Sequence, residues 1–203
     1  MNFIFQKKLS IPKILCDEII TMYELENIKH PGSTVGGVLK DIKDTTDMTI
    51  PEDIKWYKIE EFLYRELHNS IKEYLDFINN IVKTDSKKRY NYFNTDQMHT
   101  EAFTIQKYNQ QEGKYVYHND SLVRYSENRH RVLTFLWYLN DVEIGGETEF
   151  WFGEYLVKPQ KGKLIIFPAC WTYPHRGKMP LSSDKYIITG WLYINEPKYS
   201  ECL

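Results

Sequence analysis

The sequence predicts an α+β domain, in which a helical layer over about residues 1–100 supports a β core over about 101–203. Three observations carry this. Apolar residues recur at helical spacing in two stretches before residue 100. After it come short runs rich in Tyr, Phe, Trp, Ile, Val and Thr, separated by turns that mostly contain glycine. Between the halves there is a change of texture but no linker, so residues 1–203 are read as one domain. With 42% hydrophobic residues, a chain of this length can bury a core without disulfides or a structural metal.

Pro12 opens the first helix, where its missing N–H costs nothing, and Ile14, Leu15, Ile19, Ile20 and Tyr23 continue it at spacings that place a helix over 12–26. Residues 30–51 carry Gly32, Gly36, Gly37, Pro31, Pro51 and the polar run Lys43-Asp44-Thr45-Thr46-Asp47, which predicts loop with at most a short strand. From Pro51 to Val82, Ile54, Ile59, Phe62, Leu63, Leu67, Ile71, Tyr74, Leu75, Ile78 and Ile81 draw one long amphipathic stripe, a helix packed on a core. Strands are expected at 101–108, 114–120, 131–140, 147–158, 162–168, 172–176 and 184–194. Such a count argues for a sandwich, a jelly roll or a small barrel.

Charged residues make up 27% of the chain with a net charge of -2, which indicates neither a nucleic-acid surface nor a disordered acidic tail. Lys87-Lys88-Arg89, the one compact basic run, reads as a solvated loop. Cys16, Cys170 and Cys202 are too scattered for a zinc knuckle and too few for a disulfide framework. The amino terminus puts Lys7 and Lys8 after its apolar residues, unlike a signal peptide, and apolar runs such as Leu164 to Phe167 are far below membrane-spanning length. A cytoplasmic protein with no membrane or nucleic-acid partner is expected; nothing points to an oligomeric state. The sequon Asn119-Asp120-Ser121 falls inside the motif discussed next, where a glycan would block access.

No GxxxxGK[ST], GxGxxG, GxSxG or HExxH occurs, which removes phosphate cradles, serine elbows and zincin helices. What remains is His118-Asn119-Asp120. In extended backbone, residues two apart share a side, so the imidazole and the carboxylate can meet one ion. His175 follows several strands later, where a layered β fold can return the chain to the first pair. Two His and one carboxylate on one face of an iron leave the opposite positions open, whereas a structural zinc would require a fourth ligand. His30, His68, His99 and His130 have no spaced partners, His130 falling in the charged turn 127–131. Glu143, Glu147 and Glu149 flank a Gly-Gly turn with at least one expected in solvent.

The ordered set Arg131-Val-Leu-Thr-Phe-Leu-Trp-Tyr-Leu-Asn-Asp-Val-Glu-Ile-Gly-Gly-Glu-Thr148, Lys161-Gly-Lys-Leu-Ile-Ile-Phe167, His175 and Lys185-Tyr-Ile-Ile-Thr-Gly-Trp191 resembles the prolyl 4-hydroxylase group of Fe(II)/2-oxoglutarate-dependent dioxygenases. The resemblance covers the carboxy-terminal half and implies a double-stranded β-helix, or jelly-roll, core. It implies His118, Asp120 and His175 as iron ligands, with Lys185 pairing the distal carboxylate of 2-oxoglutarate. Tyr108, Tyr138 and Thr148 match residues of the cosubstrate pocket, Tyr115 and Trp191 match positions near the substrate, and Arg131 fits a structural ion pair. O2 is the second cosubstrate and ascorbate an accessory reductant. The chemistry implied is hydroxylation of a C–H bond with release of succinate and CO2, on proline in a peptide or protein, with Tyr115 and Trp191 against a PPII segment and the 30–51 loop as a lid. Another amino-acid side chain, a free amino acid or a small metabolite is the alternative substrate; a catalytically silent jelly-roll binding module is the alternative of another class. Independently, Lys185, Ile187, Thr189 and Trp191 alternate onto one strand face. That would turn a cation inward among apolar neighbours, a costly placement unless an anion meets it.

Overall fold

In the computed structural model the chain is described over residues 2–82, 98–124 and 129–195. The run Lys87-Lys88-Arg89, Cys202 and residues 127 and 128 of the charged turn lie outside the described residues. The order is β1 (Phe5–Lys7), α1 (Lys13–Leu25), β2 (His30–Pro31), β3 (Lys43–Asp44), β4 (Thr46–Thr49), α2 (Ile54–Val82), β5 (Met98–Thr100), β6 (Thr104–Tyr108), β7 (Lys114–His118), β8 (Val123–Arg124), β9 (Arg129–Tyr138), β10 (Thr148–Phe150), β11 (Tyr155–Val157), β12 (Leu164–Pro168), β13 (His175–Gly177) and β14 (Lys185–Asn195). Every described pairing within the two sheets is antiparallel.

The larger sheet runs β1-β12-β9-β14-β6-β4-β2, with β5 added to β14 and β8 to β9. The smaller runs β11-β10-β13-β7-β3. The two sheets face each other as in a jelly roll. Because side chains alternate along a strand, β12 sends Leu164 and Ile166 to one side and Ile165 and Phe167 to the other. The first pair joins a cluster containing Ile19 and Tyr23 of α1 and Trp56, Leu63 and Leu67 of α2. The second joins Tyr108, Tyr138, Phe150, Val157 and Ile187 between the sheets.

The helices follow their apolar spacing. Pro12 caps α1, which buries Cys16, Ile19 and Tyr23. The Asp53 side chain accepts the Lys55 N–H at 3.1 Å at the start of α2, whose buried positions Trp56, Ile59, Leu63, Leu67, Ile71, Tyr74 and Ile78 step by three or four. Ile54, counted in the expected stripe, is 86% exposed, and Trp56 takes the buried place at that end. Fully burying each such side chain contributes about 1.5–3 kcal/mol.

Three expectations change. Residues before 100 are not only helical: β1 to β5 all lie there, and β1 extends the large sheet through β12. Strands of two to four residues are too short to show a period, so their pairing partners define them. The expected strand 147–158 is two strands, broken at Trp151–Gly153, where Trp151, Phe152 and Gly153 have φ of 49°, 57° and 105°. His130, read as part of a turn, sits in β9 opposite Val123 and Ile194, because pairing with β14 carries the strand back to Arg129.

Candidate active site

β13 lies between β10 and β7, with His175 opposite both Phe150 and His118. Asp120 follows two residues after the end of β7 and is buried, 8% exposed. One donor atom each from His118, Asp120 and His175 lies within 4.8 Å of the others, the one such group of three His, Cys, Asp or Glu side chains among the described residues. Asp120 Oδ1 is 3.8 Å from His118 Nε2, and Oδ2 is 3.5 Å from His175 Nε2.

The imidazoles are oriented from behind. His118 Nδ1 lies 2.8 Å from the Val116 carbonyl and His175 Nδ1 3.0 Å from the Tyr173 carbonyl. A carbonyl only accepts, so each Nδ1 carries the proton and each Nε2 lone pair points to the shared space. Thr134 donates to Asp120 Oδ2 at 2.7 Å. Burial and the adjacent His175 push His118 down to about 4, so its ring is neutral near pH 7. Burial works to raise Asp120, but His175, His118 and the Thr134 hydroxyl outweigh it and hold the carboxyl ionised. Two imidazole nitrogens and one carboxylate suit a divalent first-row ion, and the facial arrangement suits non-haem Fe(II).

A cavity of about 400 Å³ opens beside these donors. Lys185, Ile187, Thr189 and Trp191 of β14 all line it, as their alternation predicted. Lys185 is 1% exposed, and Gly146 supplies the one hydrogen bond described for its Nζ, at 3.2 Å to the carbonyl. The ammonium also lies 3.8 Å from the centroid of the Tyr108 ring, across the β14–β6 pair. Burial drives Lys185 down to about 7, against a partial upward pull from Glu147. No described carboxylate lies within ion-pair distance of it. The turn that brings Gly146 there requires glycine at 145: φ is 76°, and a Cβ would stand 2.4 Å from the Met179 carbonyl.

The other expected residues divide. Tyr108, Thr148, Tyr115 and Trp191 line the cavity. Tyr115 stacks on His118 with ring centroids 3.6 Å apart. Tyr138 is not among the lining residues; it is fully buried behind Thr148 and bonded to its hydroxyl at 2.6 Å. Arg131 also lines the cavity, but its described partners are the Trp191 ring, 3.5 Å from guanidinium to centroid, and the Tyr193 hydroxyl, not the expected ion pair. His30, His68, His99 and His130 stay outside the donor group, and Glu143 is exposed.

Some lining residues carried no sequence signal. Lys43, within a run read as loop, is 5% exposed and pairs with buried Asp47 at 2.6 Å. Asp47 also accepts from Thr45 and Gln106, and Gln106 accepts from the Tyr108 hydroxyl at 3.3 Å. Lys43, Gln106 and Thr134 all reach the cavity wall, and so do Ser33, Thr34 and Val35. Only the spacing of Lys43 and Asp47 hinted at a pair, and that spacing is commonplace.

Comparison with known proteins agrees with this geometry. Residues 103–193 match the family model described as the 2OG-Fe(II) oxygenase superfamily. No curated protein sequence matches the chain. Among solved structures, a viral collagen prolyl hydroxylase of Paramecium Bursaria Chlorella virus-1, in its 2OG complex, superposes with a TM-score of 0.63 at 17% identity over 95% of this chain and 96% of that one. A Pseudomonas putida prolyl-4-hydroxylase gives 0.64 at 17% identity, covering 97% and 94%. A Trichoplax adhaerens prolyl hydroxylase, bound to a hypoxia inducible factor oxygen degradation domain peptide fragment, gives 0.69 at 18% identity, covering 96% and 84%. At such identity these likenesses establish a shared fold. The superfamily match, together with the His-Asp-His donors, gives Fe(II), 2-oxoglutarate and O2 as the cofactors.

Proposed function

We propose, from the premise that residues 103–193 form a 2OG-Fe(II) oxygenase domain, that the protein hydroxylates a C–H bond of proline in a peptide or protein substrate. One observation carries the oxygenase part of the reading. A three-donor face and a buried lysine with no carboxylate partner open into the same cavity. A silent binding module has no need of either, and the two together suit a metal and a dicarboxylate.

His118, Asp120 and His175 would hold the iron, their Nδ1 carbonyl bonds and the Thr134 hydroxyl fixing the direction of each donor. Lys185 would meet the distal carboxylate of 2-oxoglutarate, an anion that offsets the cost of burying the cation. Tyr108 and Thr148 line the same end and offer hydroxyls, while Tyr138 holds Thr148 in place from behind. The chemistry supplied when Fe(II), 2-oxoglutarate and O2 are bound is oxidative decarboxylation to succinate and CO2, coupled to insertion of one oxygen atom into a C–H bond. The chain's part is to orient the reacting groups and keep the cavity dry around them.

The proline assignment rests on the fold shared with prolyl hydroxylases, one holding a peptide. It also rests on the aromatic wall of Tyr115 and Trp191, flat surfaces suited to pyrrolidine rings in a PPII segment. Ser33 to Val35 at the wall fit a lid formed by the 30–51 segment. The test has two steps. Succinate release from 2-oxoglutarate with Fe(II) and no substrate should be measurable, and its absence would remove the oxygenase reading. A mass-spectrometric screen of Pro-containing peptides against free amino acids and small metabolites should then find a gain of one oxygen on proline. Oxygen gained elsewhere would move the substrate assignment and leave the reaction class standing.

A further inference from the structure

The opposite face of the small sheet carries a polar cluster that the proposed chemistry does not use. His118, Phe150 and His175 turn inward, so their neighbours Tyr117, Glu149 and Arg176 turn outward. Glu149 is only 5% exposed although it lies on that outer face. Its carboxylate accepts the Tyr117 phenol and two contacts from Arg176 Nη2, 2.9 Å to Oε1 and 3.0 Å to Oε2. These three residues belong to three adjacent strands, β10, β13 and β7. The Arg176 guanidinium lies 5.0 Å from the Tyr117 ring centroid on that face, and the Phe152 ring lies 4.4 Å from the same ring. Phe152 reaches Tyr117 from the left-handed backbone of the β10–β11 turn, a conformation costly for a non-glycine residue.

The cluster spans a flaw in the ladder. His175 pairs with His118 and Gly177 with Tyr115, so two steps on β13 face three on β7. That is a β-bulge at Val116 and Tyr117, where strand pairing alone specifies the backbone least. Yet the Val116 carbonyl is the group that holds His118 Nδ1. The Val116 N–H is tied on its other side to the Ile42 carbonyl at 2.9 Å. Burial and Glu149 push the Tyr117 phenol up to about 12, so it remains a hydrogen-bond donor across the neutral range.

We infer that Tyr117, Glu149 and Arg176 are positioning residues. Their clamp fixes the bulge, the bulge fixes the Val116 carbonyl, and that carbonyl aims His118 Nε2 at the metal position defined by Asp120 and His175. The inference rests on the metal-site reading above. None of the three side chains touches the cavity, so their effect must pass through the backbone.

The test is Mn(II) binding to the full metal-free chain, measured by calorimetry alongside thermal unfolding. Tyr117→Phe removes one hydroxyl and keeps the ring stack. It should weaken Mn(II) binding about tenfold, in line with other partners that orient metal ligands, while the metal-free midpoint moves by no more than about 2–4 °C. Glu149→Gln should weaken binding similarly. Tyr117→Phe combined with Glu149→Gln should be no weaker than the worse single variant, because the two act through one clamp. Arg176→Lys, which keeps the charge without the planar fork, should fall between wild type and these variants. A purely structural cluster would shift the midpoint and leave affinity untouched; that result overturns the inference. His118→Ala is the control. If it loses Mn(II) while Tyr117→Phe and Glu149→Gln bind as wild type, the clamp alone is refuted. If His118→Ala also binds as wild type, the metal-site reading falls and the clamp with it.

Discussion

Lys43 and Lys185 face the same cavity from different sheets, and both are almost completely buried. Lys43, at the edge of the small sheet, meets Asp47 of the large sheet at 2.6 Å, and Asp47 is in turn satisfied by Thr45 and Gln106. Lys185, in the large sheet, has the Gly146 carbonyl and the Tyr108 ring face, with no carboxylate in contact. The first cation is complete within the protein and pins one sheet to the other. The second is a charge without its anion. Burial of a lysine therefore does not by itself mark a ligand site; what separates these two is whether an internal counter-charge meets the cation inside the cavity.

Removing each charge should separate the two roles. Lys43→Met leaves Asp47 buried and unpaired, so it should destabilise the protein by about 3–5 kcal/mol in chemical denaturation. Adding Asp47→Asn should restore most of that loss, because a neutral pair costs less to bury than a lone carboxylate. In contrast, Lys185→Met should stabilise the ligand-free protein at pH 7, since it removes an uncompensated charge. A destabilised Lys185→Met would mean that the two lysines do the same job.

Cosubstrate binding should reverse the ranking. Lys185→Met should weaken 2-oxoglutarate binding to the Mn(II)-loaded protein about a hundredfold, the scale of a lost desolvated charge pair. Lys43→Met should change it far less, by an amount set by how far Gln106 and Tyr108 shift. Equal losses in the two variants would erase the distinction.

The pH dependence sharpens it further. The folded Lys185 titrates at about 7, and an unfolded lysine near 10.4. Below pH 7 both states are charged and the burial cost is constant. Between about pH 7 and 10 the unfolded chain holds the extra proton, so the Lys185 contribution to stability should rise with pH. Over the same interval the thermal stabilisation given by 2-oxoglutarate should shrink, because the carboxylate needs the protonated ammonium. Melting curves of wild type and Lys185→Met at pH 6.5, 8 and 9.5 check both signs; a ligand effect that grows with pH would contradict the pairing. The smallest effect expected is for Tyr138→Phe, which removes the bond to Thr148 and should cost about 1 kcal/mol of stability, with only a few-fold change in 2-oxoglutarate affinity.

Much of the site was readable because its geometry is local. His118 and Asp120 are two residues apart, and Lys185 to Trp191 share a strand face by the alternation every strand obeys. The two helices announced themselves for the same reason, their apolar residues repeating at one helical period. Short strands are different. β1 to β4 have two to four residues each, and pairing with distant strands makes them strands. Tyr138 and Arg131 belong to matched motifs, yet one sits behind the wall and the other on an indole. A motif does not state which layer a side chain occupies.

The two helices, the β-rich second half, the His118–Asp120 pair and the inward lysine were thus legible in spacings of a few residues, whereas His175, far along the chain, was reached only through the ordered set of motifs. Long-range packing settled that Lys43 would be buried at the cavity wall against Asp47, that β7 would bulge beside His118, and that Glu149 would bind three strands together. These depend on which strands become neighbours, a long-range outcome of closing two sheets around one core. A polar residue shows whether it is solvated or satisfied only once its partner arrives from elsewhere in the chain.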